Sequence, residues 1–315
     1  MIDLHRLRGP QVFKERWQFP GKAGADSSAA IAAARGWMLS VVSLVLLTVP
    51  SMAEGIEGSS ESAISACISK GAQTSTFVEP GANREFVARD GRRFLAADID
   101  WPPAEGASAL YGSLDTASGD LPRLEAIPAG PANRWGLIPA WIVIHKGDAL
   151  RLLQAAELEA GGALFVPELA SGTCADQLRL AENSARDEKS GIWARGKQVL
   201  VHSATDLKNL EDSAGNYVIA RGRIVSLGKT RSTRYLNFGR YWKTDLTVTL
   251  KTSDEDRLDA ALSQNGWRIE DLANKTVEIR GVVQVRDGPL IALRHPEQLV
   301  VLEDKRAGRG GRNIN

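Results

Sequence analysis

The sequence predicts an α+β protein, mainly β, built from two small β-barrels. Three observations carry this. Short strand-like runs in the first half are punctuated by Pro80-Gly81 and Asp90-Gly91. Two later stretches of that half place apolar residues at helical spacing. In the second half five strand-like runs flank one helical stretch.

Composition sets the frame. At 315 residues, with 43% hydrophobic and 24% charged, the chain suits folded domains of ordinary size. The net charge of +1 hides an asymmetry, because the first 53 residues hold six of the 39 Lys and Arg and three of the 38 Asp and Glu. The remainder carries 33 basic against 35 acidic residues. A dedicated duplex binder carries a marked basic excess, so only a local basic patch is left to meet a nucleic acid.

The elements follow in order. Residues 38–50, MLSVVSLVLLTVP, are an apolar run followed by Ser51-Met52-Ala53, whose small residues suit signal peptidase. Thirteen residues fall short of the ~20 that cross a bilayer core as a helix. The expectation is a leader and signal peptide over 1–53 cleaved after Ala53, no stable membrane span, and a periplasmic or secreted protein. The polar leader carries Arg6, Arg8, Lys14, Arg16, Lys22 and Arg35, and reads either as a long n-region or as a start codon set too far upstream. Residues 54–74 are a Ser, Gly and Ala rich lead-in. Strands are expected at 75–79, 84–89, 92–99, 123–127 and 141–145, with loop over most of 102–133. Helices are expected at 148–159, stopped by Gly161-Gly162, and at 174–189, stopped by Gly191.

Apolar density drops at 196–215, which reads as a linker between domains at 75–195 and 216–303. Strands at 216–226, 233–237, 245–250, 276–285 and 290–294, with a helix at 254–264 between the third and fourth, give the order of an oligonucleotide/oligosaccharide-binding barrel. The tail 304–315, DKRAGRGGRNIN, reads as disordered. The only cysteines, Cys67 and Cys174, leave two readings open: one disulfide in an oxidising compartment, or two buried thiols.

RWGLIPAWIVI, ALRLLQAAELEAGGALFVP and DQLRLAENSARDEKSGIWA, taken in order, resemble the second half of a staphylococcal-nuclease-like domain. In that family a Tyr-Gly-Arg-x-Leu-Ala strand precedes a helix closing on a small-Gly-Leu-Ala turn, and the last helix ends in Gly-Ile/Leu-Trp. Here Ala181, Glu182, Ala185, Arg186, Gly191, Ile192 and Trp193 fall in step. The resemblance covers roughly residues 75–195 and implies a barrel with C-terminal helices and calcium-dependent phosphodiester hydrolysis.

Upstream, DGRRFLAADIDWPP over 90–103 aligns with the family's Arg-Leu-x-Gly-Ile-Asp-x-Pro-Glu segment. The resemblance places the first catalytic arginine on Leu95, the catalytic glutamate on Pro103 and the second arginine on Leu137. Asp100 matches a calcium-binding aspartate, while the family's Asp-Gly-Asp falls on Pro80-Gly81-Ala82. Leucine neutralises no phosphoryl charge, and each missing electrostatic partner costs ~10²–10³ in rate by analogy with oxyanion donors. The expectation is a degenerate site without a cofactor, in a binding or scaffold protein of the cell envelope. The competing reading is a calcium-dependent nuclease of DNA or RNA that uses Asp100, with Asp98, Glu105 and Arg93 near it in sequence. Leu95, Pro103 and Leu137, with Trp101 and Trp135, either line an apolar concavity or bury themselves.

Residues 216–303 resemble an oligonucleotide/oligosaccharide-binding-type barrel that follows such nuclease-like domains in exported bacterial proteins. The carriers are RGRIVSLGKTRSTRYLNFGRYWKTDLTVTL and VEIRGVVQVRDGPLIALRHPEQLVVLE. From 216 to 244 no acidic residue occurs, while seven basic residues interleave with aromatics. The candidates for a single-stranded nucleic acid or polyanion are Arg231, Arg234, Tyr235, Arg240, Tyr241, Trp242 and Lys243, charge tracking the backbone and rings stacking on bases. Strand alternation sends about half of such side chains inward, so Tyr235 and Phe238 also fit core and turn positions. An envelope protein or glycan is the other partner class. The four histidines have no metal-site spacing, and no phosphate-cradling loop or nucleophile signature occurs.

Overall fold

Turn chemistry starts the first sheet. Asp90 accepts the backbone N–H of Arg92, and Gly91 sits at φ 85°, so the chain reverses between two β-forming runs. The computed structural model describes residues 62–68, 74–101, 122–194, 201–241 and 243–302, all within one compact unit. The expected leader, linker start and tail lie outside the described residues.

A short helix, α1, covers residues 62–67. Strands β1 (Thr76–Pro80), β2 (Glu85–Ala88), β3 (Arg93–Ala96), β5 (Arg123–Pro128) and β6 (Leu137–Lys146) pair as β3-β2-β1-β5-β6, and a parallel β3–β6 pairing closes them. The result is a closed five-stranded barrel compatible with an oligonucleotide/oligosaccharide-binding-like fold. Phe86, Phe94, Ala126 and Ile142 fill it from alternate positions.

Between these strands lies β4 (Ile99–Asp100), which pairs with β8 (Leu164–Phe165). Residues Ala149–Leu152, expected as the start of a helix, form strand β7 on β6 instead. Gly147, at φ 58°, folds the chain back, and the hairpin wins over helical spacing. Helix α2 is therefore only Leu153–Glu159, and α3 runs Thr173–Glu188. The two helix ends meet at glycines: a Cβ on Gly191 would lie 2.1 Å from the Gly161 carbonyl oxygen, and both residues have positive φ. Cys67 and Cys174 form a disulfide, which ties α1 to the first turn of α3 across 107 residues of sequence. Closing a loop of that length is worth about 4–5 kcal/mol in the chain-entropy account.

The second sheet contains β9 (Val201–Ser203), β10 (Tyr217–Arg223), β11 (Ser226–Lys229), β12 (Thr233–Asn237), β13 (Thr247–Lys251), β14 (Thr276–Val285), β15 (Pro289–Leu293) and β16 (Leu299–Val301). Its order is β11-β12-β13-β15-β14-β10-β9, with β16 on β14. The pairings run as an open path, so they do not show the expected second barrel. A parallel β13–β15 step repeats the parallel β3–β6 step of the first sheet. Helix α4 (Leu207–Asp212) and β9 occupy the stretch read as linker; Asp206 caps α4, a signal short enough to pass as loop. Helix α5 (Glu255–Gln264) follows β13, and Leu258 and Leu262 on it join a separate core with Val248, Ile279 and Ile291.

Buried charge joins these two cores. Arg280 on β14 is 1% exposed and donates to the Phe165 carbonyl at 2.9 Å, to Glu182 on α3 at 2.8 Å and to Glu278 at 2.7 Å. Glu278 also takes Arg186 at 3.0 Å and Arg221 at 2.8 Å, while Glu182, fully buried, accepts the Phe165 N–H at 2.8 Å. Beside them Arg179 binds Glu297 at 3.1 Å. Burial pushes the Glu278 carboxyl upward, but the Arg280 charge and the Arg186 hydrogen bond outweigh it and hold it at about 2. Its contribution is present above pH 4.5 and is lost as pH falls toward 2.

Truncating the central cation takes the nearest positive charge from two buried carboxylates and leaves Glu182 with only Arg186 at 3.7 Å. Arg280→Met is expected to lower the free energy of urea unfolding at neutral pH by about 3–5 kcal/mol. A loss under ~1 kcal/mol would mean that the cluster holds nothing together.

Candidate functional site

Strand alternation decides what faces outward on the barrel. On β3, Phe94 and Ala96 point inward, so Arg93 and Leu95 point out. The parallel register sets Arg93 against Leu137 and Leu95 against Pro139. Leu95 and Leu137 are thus near neighbours on one exterior face, while Pro103 lies outside the described residues. Across from Leu95 stands Glu85, whose carboxylate accepts from Arg93 at 3.2 Å. Arg93 also donates to the Trp135 carbonyl at 2.8 Å. The cation remaining on this face is thereby held by a carboxylate and a carbonyl.

The two tryptophans part company. Trp101 is buried, and its indole N–H reaches the buried Glu157 at 3.4 Å. Trp135 is 60% exposed and lies under the Arg134 guanidinium, 4.0 Å from its centroid. They do not line one concavity.

Asp98 and Asp100 do different work. Asp98, at φ 59° before β4, is buried and accepts the N–H groups of Leu169 at 2.9 Å and Ala170 at 2.5 Å. It pins the turn that leads into α3. Burial pushes its carboxyl up to about 6, against the pull of those backbone donors. Asp100 is also raised by burial, while the Arg84 charge pulls it down, and Arg84 donates to the Trp101 carbonyl. Calcium takes six to eight oxygen ligands. Among the described residues no three His, Cys, Asp or Glu side chains gather to hold a metal ion, and Pro80-Gly81-Ala82 offers no carboxylate. Among the described residues this donor set falls short of calcium's oxygen ligands, and Glu105 lies outside the described residues.

The basic run divides along the strand. Arg234 points inward and is spent on Glu255 at 3.3 Å and Glu270 at 2.6 Å. Lys229 pairs with the same Glu255 at 2.7 Å. Tyr235 stands on the outer face, half-buried, with Gly228 and Thr249 as its cross-strand neighbours. Gly228 leaves the flank of that ring uncovered by a side chain. Arg231 is exposed at the hairpin before β12, and Arg240, Tyr241 and Lys243 are exposed in the loop after it, with Tyr241 at 75%. Asp245 holds that loop by accepting the Tyr241 N–H at 2.7 Å. Trp242 lies outside the described residues. Basic groups therefore stand at both ends of β12, with one aromatic ring roughly 7 Å from either end by the rise of a strand.

Sequence reading passed over Arg280, Glu278 and Glu182 as a unit. The signal available was a charged pair at 278 and 280 inside an apolar strand, which alternation alone does not explain. Compared with known families and with curated proteins, the chain matches no family model and no curated protein.

Asp98 carries a pH signature. Its raised pKa means that the native state holds this proton more tightly, so its contribution to stability is largest below pH 3.8 and is lost as pH rises through about 6. Asp98→Asn removes that decline and turns an NH₂ toward backbone donors. The variant is expected to be less stable at pH 4. Its stability should then rise between pH 4 and 6.5 more steeply than in the parent, by about 2–3 kcal/mol. Parallel pH dependences in urea unfolding would contradict the assignment.

Proposed function

We propose that the protein is an exported, non-catalytic binding protein of the cell envelope, built on a staphylococcal-nuclease-like barrel whose phosphodiesterase groups are gone. The observation that carries this reading is that Leu95 and Leu137 stand two register steps apart on one exterior face, next to an arginine already held by Glu85. Phosphoryl transfer needs unspent cations and a metal there. Leucines supply neither. The disulfide supports export, since such bonds persist in oxidising compartments. No helix among the described residues is long and apolar enough to cross a membrane.

The second sheet supplies the binding surface in this reading. Its first and last barrel strands, β10 and β11, are two residues apart, and the Val225 N–H bonds across to Asn237 while the Ile224 N–H bonds to Lys275. We read 217–229 as one bent strand that closes a second oligonucleotide/oligosaccharide-binding barrel. Tyr235, with Arg231 at one end of its strand and Arg240, Tyr241 and Lys243 at the other, matches the stacking and charge of a single-strand groove.

Incubating the protein with a fluorescent oligonucleotide, with and without calcium, separates the readings. The expected outcome is no cleavage under either condition and single-strand retention that weakens as salt rises, reduced at least threefold by Tyr235→Ala with Arg240→Gln. Calcium-dependent cleavage would overturn the non-catalytic reading. Absence of salt-sensitive retention would remove the single-strand surface and leave a protein or glycan partner.

A further inference from the structure

Gly228, Tyr235 and Asn237 form a notch on the outer face of the second sheet. Antiparallel register sets Gly228 of β11 opposite Tyr235 of β12, and Ser226 opposite Asn237. Residues opposite one another across a strand pair share a face, so the ring and the amide stand on one side of the sheet. A Cβ built on Gly228 would lie 3.5 Å from Tyr235 Cβ, 3.9 Å from its ring atom Cδ2 and 4.0 Å from Asn237 Nδ2. The glycine therefore leaves a gap with an aromatic ring on one wall and an amide on the other. Backbone strain does not call for a glycine here, since its φ is not positive and an added Cβ would meet only ordinary van der Waals contacts. On the far side of the ring the row continues with Thr249 and Ala292, so the cross-strand neighbours of Tyr235 are small on both sides.

The amide is set for a ligand edge. Asn237 Nδ2 donates to Ser226 Oγ at 3.1 Å, which orients the group. Its Oδ1 and the second Nδ2 hydrogen have no partner among the described residues. One acceptor beside one donor matches a planar edge that offers the reverse pair. Adenine presents that pair, its N6 amino group lying beside N7 on one edge and beside N1 on the other. The N7 edge of guanine shows two acceptors, and each pyrimidine has a matching pair on one edge only. A purine also covers more of the tyrosine ring than a pyrimidine does. Arg231 at one end of β12, with Arg240 and Lys243 at the other, places cations along the line that a phosphate backbone would follow.

We propose that this notch is an adenine-reading site, in which the base stacks on Tyr235, enters the gap at Gly228 and pairs by its edge with the Asn237 amide. The inference rests on the single-strand reading above and adds base choice to it, with Asn237 as the residue that determines specificity.

The test measures fluorescence anisotropy at low salt with single strands of one length, made of adenine, cytosine or thymine alone, or of guanine alternating with thymine. The adenine strand is expected to bind at least about fivefold tighter than the others, the low end of what one good bidentate pair discriminates. Asn237→Ala should shrink that preference to less than about twofold. Gly228→Val fills the gap with a residue that suits a strand. It should weaken the adenine strand by about tenfold or more, while the urea midpoint stays at or above that of the parent. Equal binding of all four strands by the parent, with salt-sensitive retention intact, would overturn the adenine site and leave the single-strand surface standing. A preference that survives Asn237→Ala, or undiminished binding by Gly228→Val, would do the same. No salt-sensitive binding of any strand would remove both.

Discussion

Arg280 is a guanidinium with almost no access to water, and its hydrogen bonds run to groups that start far apart in the sequence: the carbonyl of Phe165, Glu182 on α3, and Glu278 two residues away on its own strand. Burying a cation is tolerable only when nearly every donor is met, and here carboxylates and a carbonyl meet it. Desolvation opposes the charge on Arg280, yet Glu182 outweighs it, and the guanidinium stays protonated well above the ordinary range. The cluster also has a geometric effect. Because its members sit on elements that build both hydrophobic cores, neither core can shift against the other without stranding charge.

This constraint explains why α3 looks as it does. One side of the helix, with Cys174, Ala175, Leu178 and Ala181, packs into the barrel core, and Cys174 ties it to α1. Along the flank of that same face stand Arg179, Glu182 and Arg186, all engaged by β14 or by the 297–298 turn. Much of the charge in this chain is therefore structural. Arg221, Arg234 and Lys229 from the basic run are drawn to Glu278, Glu255 and Glu270. Arg223 is held by Asn274, and Arg231 before β12 and Arg240, Tyr241 and Lys243 after it stand exposed at the two ends of that strand.

Local signals in the sequence were faithful where local physics decides. Asp90-Gly91, the helix stop at Gly191 and the alternation of 276–285 each marked an element that exists, and the mainly β character with few helices holds. Leu95 and Leu137 lie within two register steps of one another across the parallel β3–β6 pairing, a proximity that strand runs at 92–99 and 141–145 do not carry. Long-range effects were less visible. Residues 149–152 have helical spacing but are captured by a hairpin with β6. Arg234 reads as a surface cation until alternation turns it inward onto two glutamates. His295 reads as a lone histidine, and the sequence does not show that α5, 35 or more residues upstream, comes back beside it.

The central claim is that two cores behave as one body because a buried ion cluster joins them. Native-state hydrogen exchange tests it most directly, by comparing the buried amides of Ile144 in the first core and Ile279 in the second. If the cluster locks them, both amides open with free energies within about 1 kcal/mol of each other and of global unfolding. If Ile279 and its strand instead open several kcal/mol below Ile144, the second sheet unfolds on its own and the claim fails.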